Sequence, residues 1–187
     1  MKNLIQINFQ NIKNVGIRVD FNVPINDSFH ITDNTRLIRA KDTIDFVSKN
    51  ESKILLLSHF GRPKEAFDEK FSFKNLIDQF SNILGYEIQL LPYEEFLQNG
   101  LQQFKKGTNK ITLLDNIRFF EGEKKNDKSF SQSITNELDL FINEAFSASH
   151  RSHASVNQMA KNILSAPGLN FSKEVIAINE IKNSTKR

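Results

Sequence analysis

Arginine and lysine are segregated in this sequence in a way that points to one kind of chemistry. Six of the seven arginines fall in short stretches that read as the end of a strand or the loop just after it, while the eighteen lysines serve as surface charge. Arg18 lies in GIRVDFNVP, Arg36 and Arg39 in ITDNTRLIRA, Arg62 in LLLSHFGRP, Arg118 in LLDNIRFFEGE and Arg151 in FSASHRSHAS. A planar guanidinium can make two parallel hydrogen bonds to a carboxylate or phosphate, which an ammonium cannot match. Arginines gathered in this way describe an anion site, and its ligand should be small and strongly acidic.

Other residues in the same stretches add chemistry, each with a plainer alternative. Asp20 and Asn22, two apart at the end of the first apolar run, could offer an acceptor beside an amide to a ligand hydroxyl. The alternative is a turn around Asn22 and Pro24 with Asp20 paired to a neighbouring arginine. In Ser58-His59-Phe60-Gly61-Arg62-Pro63 a histidine and an arginine follow a strand, with Gly61 allowing close backbone approach. In Asp115–Glu123 the informative member is Arg118, since Glu121, Gly122 and Glu123 are ordinary turn residues. His150 and His153 lack a third ligand nearby and flank Arg151, so no metal site is expected. The hydroxyls of Ser147, Ser149, Ser152 and Ser155 would add donors to an anion pocket. There is no Gly-x-Ser-x-Gly elbow. Neither the Gly-x-x-x-x-Gly-Lys-Ser/Thr loop nor the Gly-x-Gly-x-x-Gly turn occurs, so nothing visibly holds a nucleotide.

The elements that must position these residues alternate. Apolar, β-branched runs at 15–21, 53–59, 86–91, 110–116 and 138–144 are short and mostly unalternating, as in strands buried on both faces. Between them Leu37, Ala40, Ile44 and Val47 recur at helical spacing, as do Leu76, Ile77, Phe80, Ile83 and Leu84, with Ser72 a plausible N-cap and Gly85 a stop. Segments 94–105 and 127–137 supply two further crossovers. This pattern predicts an α/β fold: a three-layer, doubly wound parallel sheet, Rossmann-like, forming a single domain with a C-terminal helical extension. Ligands of such sheets lie beyond the carboxyl ends of the strands, where Arg36, Arg62, Arg118 and Arg151 would converge. The tail from Gly168 reads as one amphipathic helix with a polar, basic end.

Composition narrows the class. At 187 residues and 39% hydrophobic content the chain can build one core without staples. Cysteine is absent, which excludes disulfides and thiolate metal sites and fits a cytoplasmic protein. No run is long enough to span a bilayer, and a net charge of +3, dispersed among 22 acids, does not call for nucleic acid.

Five stretches, RVDFNVP at 18–24, ITDNTR at 31–36, SHFGRPK at 58–64, LLDNIRF-x-x-GE-x-KND at 113–127 and FINEAFSASHRSHAS at 141–155, stand in the order and spacing of the amino-terminal half of phosphoglycerate kinase. From about Val15 onward the chain resembles that family. The resemblance implies a substrate-binding domain at 1–170 and, at 171–187, the start of a helix leading to a nucleotide domain that these residues do not include.

It also implies roles, carried over position by position. Asp20 and Asn22 match residues that hold the hydroxyl of 3-phosphoglycerate. His59, Arg62, Arg118 and Arg151 match the basic cluster for its phosphate, with His153 in a second tier. Arg36 matches the catalytic arginine near the carboxylate and the phosphoryl group in flight, while Arg18 and Arg39 support the scaffold. The implied partners are 3-phosphoglycerate or 1,3-bisphosphoglycerate and the second domain, which would bind Mg-ATP or Mg-ADP; this chain binds no cofactor or metal. A cytoplasmic monomer without membrane or nucleic-acid partners is expected. The competing expectation is a non-catalytic module that keeps the pocket to sense a phospho-anion, for which Arg36 is least needed. The sequence departs from many relatives at Phe60, Asp115, Glu144 and Ser147, and none of these is expected to touch the substrate residues.

Overall fold

The computed structural model describes residues 3–64 and 66–184. Its strands form one parallel sheet: β1 (Asn14–Arg18), β2 (Lys53–Leu57), β3 (Ile88–Leu91), β4 (Ile111–Leu114), β5 (Leu140–Asn143) and β6 (Ser165–Pro167). Their order across the sheet is β3-β4-β2-β1-β5-β6. β2 shows why the runs do not alternate. Ile54 and Leu56 face one core, Leu55 and Leu57 the other, and all are fully buried. Each such side chain contributes roughly 1.5–3 kcal/mol through burial.

Helices cover both faces. α1 (Thr35–Ser48) and α2 (Ile77–Leu84) pack on the side of Ile54. α3 (Tyr93–Asn99), α4 (Gln102–Lys106), α6 (Lys128–Thr135) and the single turn α7 (Met159–Asn162) lie on the side of Leu55. The short α5 (Glu121–Lys124) precedes α6, and α8 (Leu169–Ser184) follows β6. Asp127 caps α6 by accepting from Phe130 N at 2.7 Å, and Gly85 ends α2.

The structure differs from expectation at several elements. β1 ends at Arg18 instead of running to residue 21, because the amide of Phe21 is taken by the Ser58 hydroxyl (2.9 Å) and no longer by a neighbouring backbone. The 94–105 crossover is two helices, broken at Gly100. Ser72 caps the short turn Phe73–Asn75 ahead of α2 and not α2 itself. β6 was not anticipated; it is three residues long, ends in a proline and pairs only with β5. α8 begins at Leu169, and residues 185–187 of the expected tail lie outside the described residues. Its stripe is not buried: Ile176, Ile178 and Ile181 are exposed. Among the described residues no helix is long and apolar enough to cross a membrane.

Candidate functional site

Parallel strands deliver their carboxyl ends to one edge, so the loops after β1, β2, β4 and β5 meet there although they are far apart in sequence. Asp20 and Asn22 sit in the loop after β1, beyond the end of the strand. Asn22 N donates to Asp20 Oδ1 at 3.2 Å, a local turn that holds the two side chains together. Asn22 Oδ1 accepts from Gly61 N at 2.8 Å, which ties this loop to the one after β2.

Gly61 is the knot of the phosphate end. Its backbone has φ +59°, and a Cβ there would lie 2.3 Å from the Phe71 ring, so both conformation and space require glycine. Its carbonyl accepts from Arg118 Nη1 at 2.5 Å, fixing the buried guanidinium supplied by the segment after β4. Asn116 completes the tie. Its Oδ1 accepts from Phe60 N and Arg118 N, both at 3.1 Å, while its Nδ2 donates to the carbonyls of Phe60 (2.6 Å) and Phe71 (3.0 Å). Sequence reasoning did not single out Asn116, which is fully buried; the available signal was an asparagine closing the apolar run at 110–116.

Arg18, Arg62 and Arg151 lie close enough to Arg118 to act on its charge. Burial, then Arg151, Arg18 and Arg62, push the Arg118 guanidinium down to about 10, which leaves it charged at neutral pH. The guanidinium groups of Arg62 and Arg151 have no hydrogen-bond or ion-pair partner among the described residues, so they offer a bound anion donors not already used; only the backbone amide of Arg151 is engaged, on the Ala148 carbonyl at 3.1 Å. His59 behaves differently from the arginines. Burial, Arg18, Arg118 and Arg151 lower it to about 2, against the pull of Asp20, so it stands in the cluster as a neutral ring. His153, close by, is lowered by burial and by Arg118, Arg151 and Arg18, and its Nδ1 lies 3.7 Å from Glu123 Oε1.

Arg36, in the first turn of α1, faces the same edge from the other side. Its Nη1 pairs with Asp20 Oδ2 at 2.5 Å, and the same oxygen accepts from Ser147 Oγ at 2.5 Å. Burial alone would raise the Asp20 carboxyl; the bonds from Ser147 and Arg36 overcome it and hold it below the usual carboxylate range. A cleft of about 180 Å³ opens here between Asp20, Arg36, Ser147 and the first turns of α8. Asp20 is thus both in a turn and paired to an arginine while lying in the cleft, so the plainer reading of it and the functional one coincide in space.

Several expectations need correction. Ser147 does touch a substrate-assigned residue, since it bonds Asp20. The four serine hydroxyls do not all serve an anion. Ser155 donates to buried Glu123 (2.6 Å), Ser149 donates to the Ala145 carbonyl (3.1 Å), and Ser152 accepts from Asn126 (3.3 Å). Hydroxyls so close to backbone and carboxylates are drawn to internal partners. Arg18, expected to support the scaffold, is buried within it, 2% exposed and lying behind His59. Arg39, by contrast, is on the surface, 3.6 Å from Glu174 of α8. Among the described residues no group of three or more His, Cys, Asp or Glu is placed to hold a metal ion.

Known proteins share this sequence pattern and fold. The family model of phosphoglycerate kinase matches residues 4–187. The chain is 41% identical over 165 residues to the phosphoglycerate kinase of a Wolbachia of Drosophila simulans, covering 87% of this chain and 40% of that one. To the Helicobacter hepaticus phosphoglycerate kinase it is 43% identical over 150 residues, covering 80% and 37%. The solved structure of phosphoglycerate kinase from Coxiella burnetii superposes with a TM-score of 0.81 at 28% identity, over 95% of this chain and 44% of that one. The chain therefore spans about two fifths of the length of the curated relatives it matches. It belongs to the phosphoglycerate kinase family.

Proposed function

We propose that this chain supplies the 3-phosphoglycerate half of a phosphoglycerate kinase active site, in an enzyme that moves a phosphoryl group reversibly between ATP and the carboxylate of 3-phosphoglycerate. The observation that carries the reading is the meeting, at one edge of the sheet, of Arg62, Arg118 and Arg151 with Asp20, Asn22 and Arg36. In this reading the three arginines and the neutral His59 hold the phosphate, with His153 behind them. Asp20 and Asn22 take the hydroxyl, and Arg36 stands at the carboxylate.

The acceptor carboxylate is ionised at neutral pH, so no general base is needed to make the nucleophile. The barrier comes from bringing an anion against a polyanion. Positioning and charge stabilisation lower it, and Arg36 is the group placed to supply both as the substrate displaces it from Asp20. Mg-ATP or Mg-ADP, which donates or receives the phosphoryl group, is assigned to the family's second domain, outside the two fifths represented here. The protein would act in the cytoplasm as a monomer.

Calorimetry of this chain with 3-phosphoglycerate and, separately, with Mg-ATP tests the assignment. Weak binding of the first, none of the second and no phosphoryl transfer are expected. Tight Mg-ATP binding, or no response to 3-phosphoglycerate with the fold intact, would overturn it.

A further inference from the structure

Behind His59 lies a buried ladder of polar groups that the substrate assignment does not use. Arg18 Nε donates to Ser155 Oγ at 3.0 Å, and its Nη1 donates to the Val19 carbonyl. Ser155 passes the contact on, its Oγ donating to Glu123 Oε1 at 2.6 Å and its N to Oε2 at 2.8 Å. Glu123 is fully buried, so Arg18 and Glu123 compensate each other's charge through Ser155. The remaining arm of Arg18 decides the state of the histidine. Nη2 lies 3.1 Å from His59 Nδ1. A guanidinium only donates and stays charged in a folded protein, so the nitrogen it meets must accept.

We propose that Arg18, held by Ser155 and Glu123, is a positioning residue that fixes His59 as the neutral tautomer protonated on Nε2. His59 then gives the bound phosphate one directional N–H and adds no charge. This rests on the substrate reading above, since a phosphate oxygen is the acceptor it serves. The charged groups facing His59 are Arg18 from β1, Asp20 from the loop after it, Arg118 from after β4 and Arg151 from after β5. Three of the four are cations and oppose a further proton. The pocket therefore recognises its ligand without first having to protonate a histidine.

Imidazole ¹⁵N NMR of the full chain, free and with inorganic phosphate or 3-phosphoglycerate, reads the tautomer directly. Between about pH 5 and pH 8, where a free histidine titrates, His59 is expected to keep Nδ1 bare and Nε2 protonated. Arg18→Gln should mix the tautomers, restore titration and weaken 3-phosphoglycerate by about tenfold. Ser155→Ala, which unhooks Arg18 without removing its charge, should give a smaller change of the same kind and serves if Arg18→Gln does not fold. A wild-type ring protonated on Nδ1, or on both nitrogens at neutral pH, overturns the proposal. So does a folded Arg18→Gln whose His59 signals are unchanged. If 3-phosphoglycerate does not bind the wild type, the substrate reading falls, while the ligand-free spectrum still decides the tautomer.

Discussion

At the scale of single residues, the two ends of the site are held differently, and this separates their mutants. Arg36 is exposed and gripped by Asp20, whereas the guanidinium groups of Arg62 and Arg151 have no internal partner among the described residues. In a protein that carries both halves of the family, Arg36→Ala should lower kcat more than it raises KM. Arg62→Ala or Arg151→Ala should weaken 3-phosphoglycerate by about ten- to a hundredfold, the loss of one charge-assisted contact. Steady-state kinetics on the three variants checks this, and equal effects on both parameters in all of them would sink the division. The identities of these residues were legible because each follows an apolar run. Their partners were not. Ser147 reaches Asp20 across 127 positions, and Arg18 meets His59 across 41. Type and local spacing place a residue at a strand exit, but only packing decides which opposite group it meets there.

At the scale of elements, the loops are knitted to one another more than to their own strands. Gly61 bonds the loop after β1 through its N–H and the segment after β4 through its carbonyl. Gly61→Ala should therefore cost about 1–3 kcal/mol, from overpacking against Phe71 and from a strained φ. Urea unfolding would measure that loss, and calorimetry should show weaker anion binding alongside it, since Asn22 and Arg118 both lose their anchor. Unchanged binding in the folded variant would mean that the knot is only structural. The buried strands were legible from their runs, and α1 and α2 from their spacing. β6 was not, because three residues at a sheet edge, ending in Pro167, carry no periodicity. The break at Gly100 was also missed, since the apolar residues on either side continue the same stripe.

At the scale of the whole molecule, two buried groups pull stability in opposite directions with pH. Burial raises Glu144 to about 7, against bonds from Thr43 Oγ1 (2.7 Å) and Asn170 N (3.0 Å). Folding thus favours its protonated form: the contribution is complete below the ordinary glutamate value and is lost as pH rises through about 7. Glu144→Gln, neutral throughout, should stabilise the chain by about 1–2 kcal/mol near pH 8 and by nothing near pH 4. A gain of equal size at both pH values, in thermal unfolding, would refute this. His59 works the other way, its contribution complete above the ordinary histidine value and lost as pH falls from there towards about 2. The alternation of elements made the layered architecture legible, but not how α8 is fastened. Gly168 lies so close to Glu144 that an added Cβ would come within 1.5 Å of its Oε2. Leu169 N donates to Thr43 Oγ1, Asn170 Nδ2 to the Arg39 carbonyl, and Lys173 pairs with Asp42. Every one of these moorings is on α1 or on the loop after β5, and α1 carries Arg36 in its first turn. A tug on α8 would thus be passed to α1 with its Arg36, and to the loop after β5, while Arg62 and Arg118, on the loops after β2 and β4, lie outside these moorings: the helix is a lever geared mainly to the end of the proposed site where Arg36 stands.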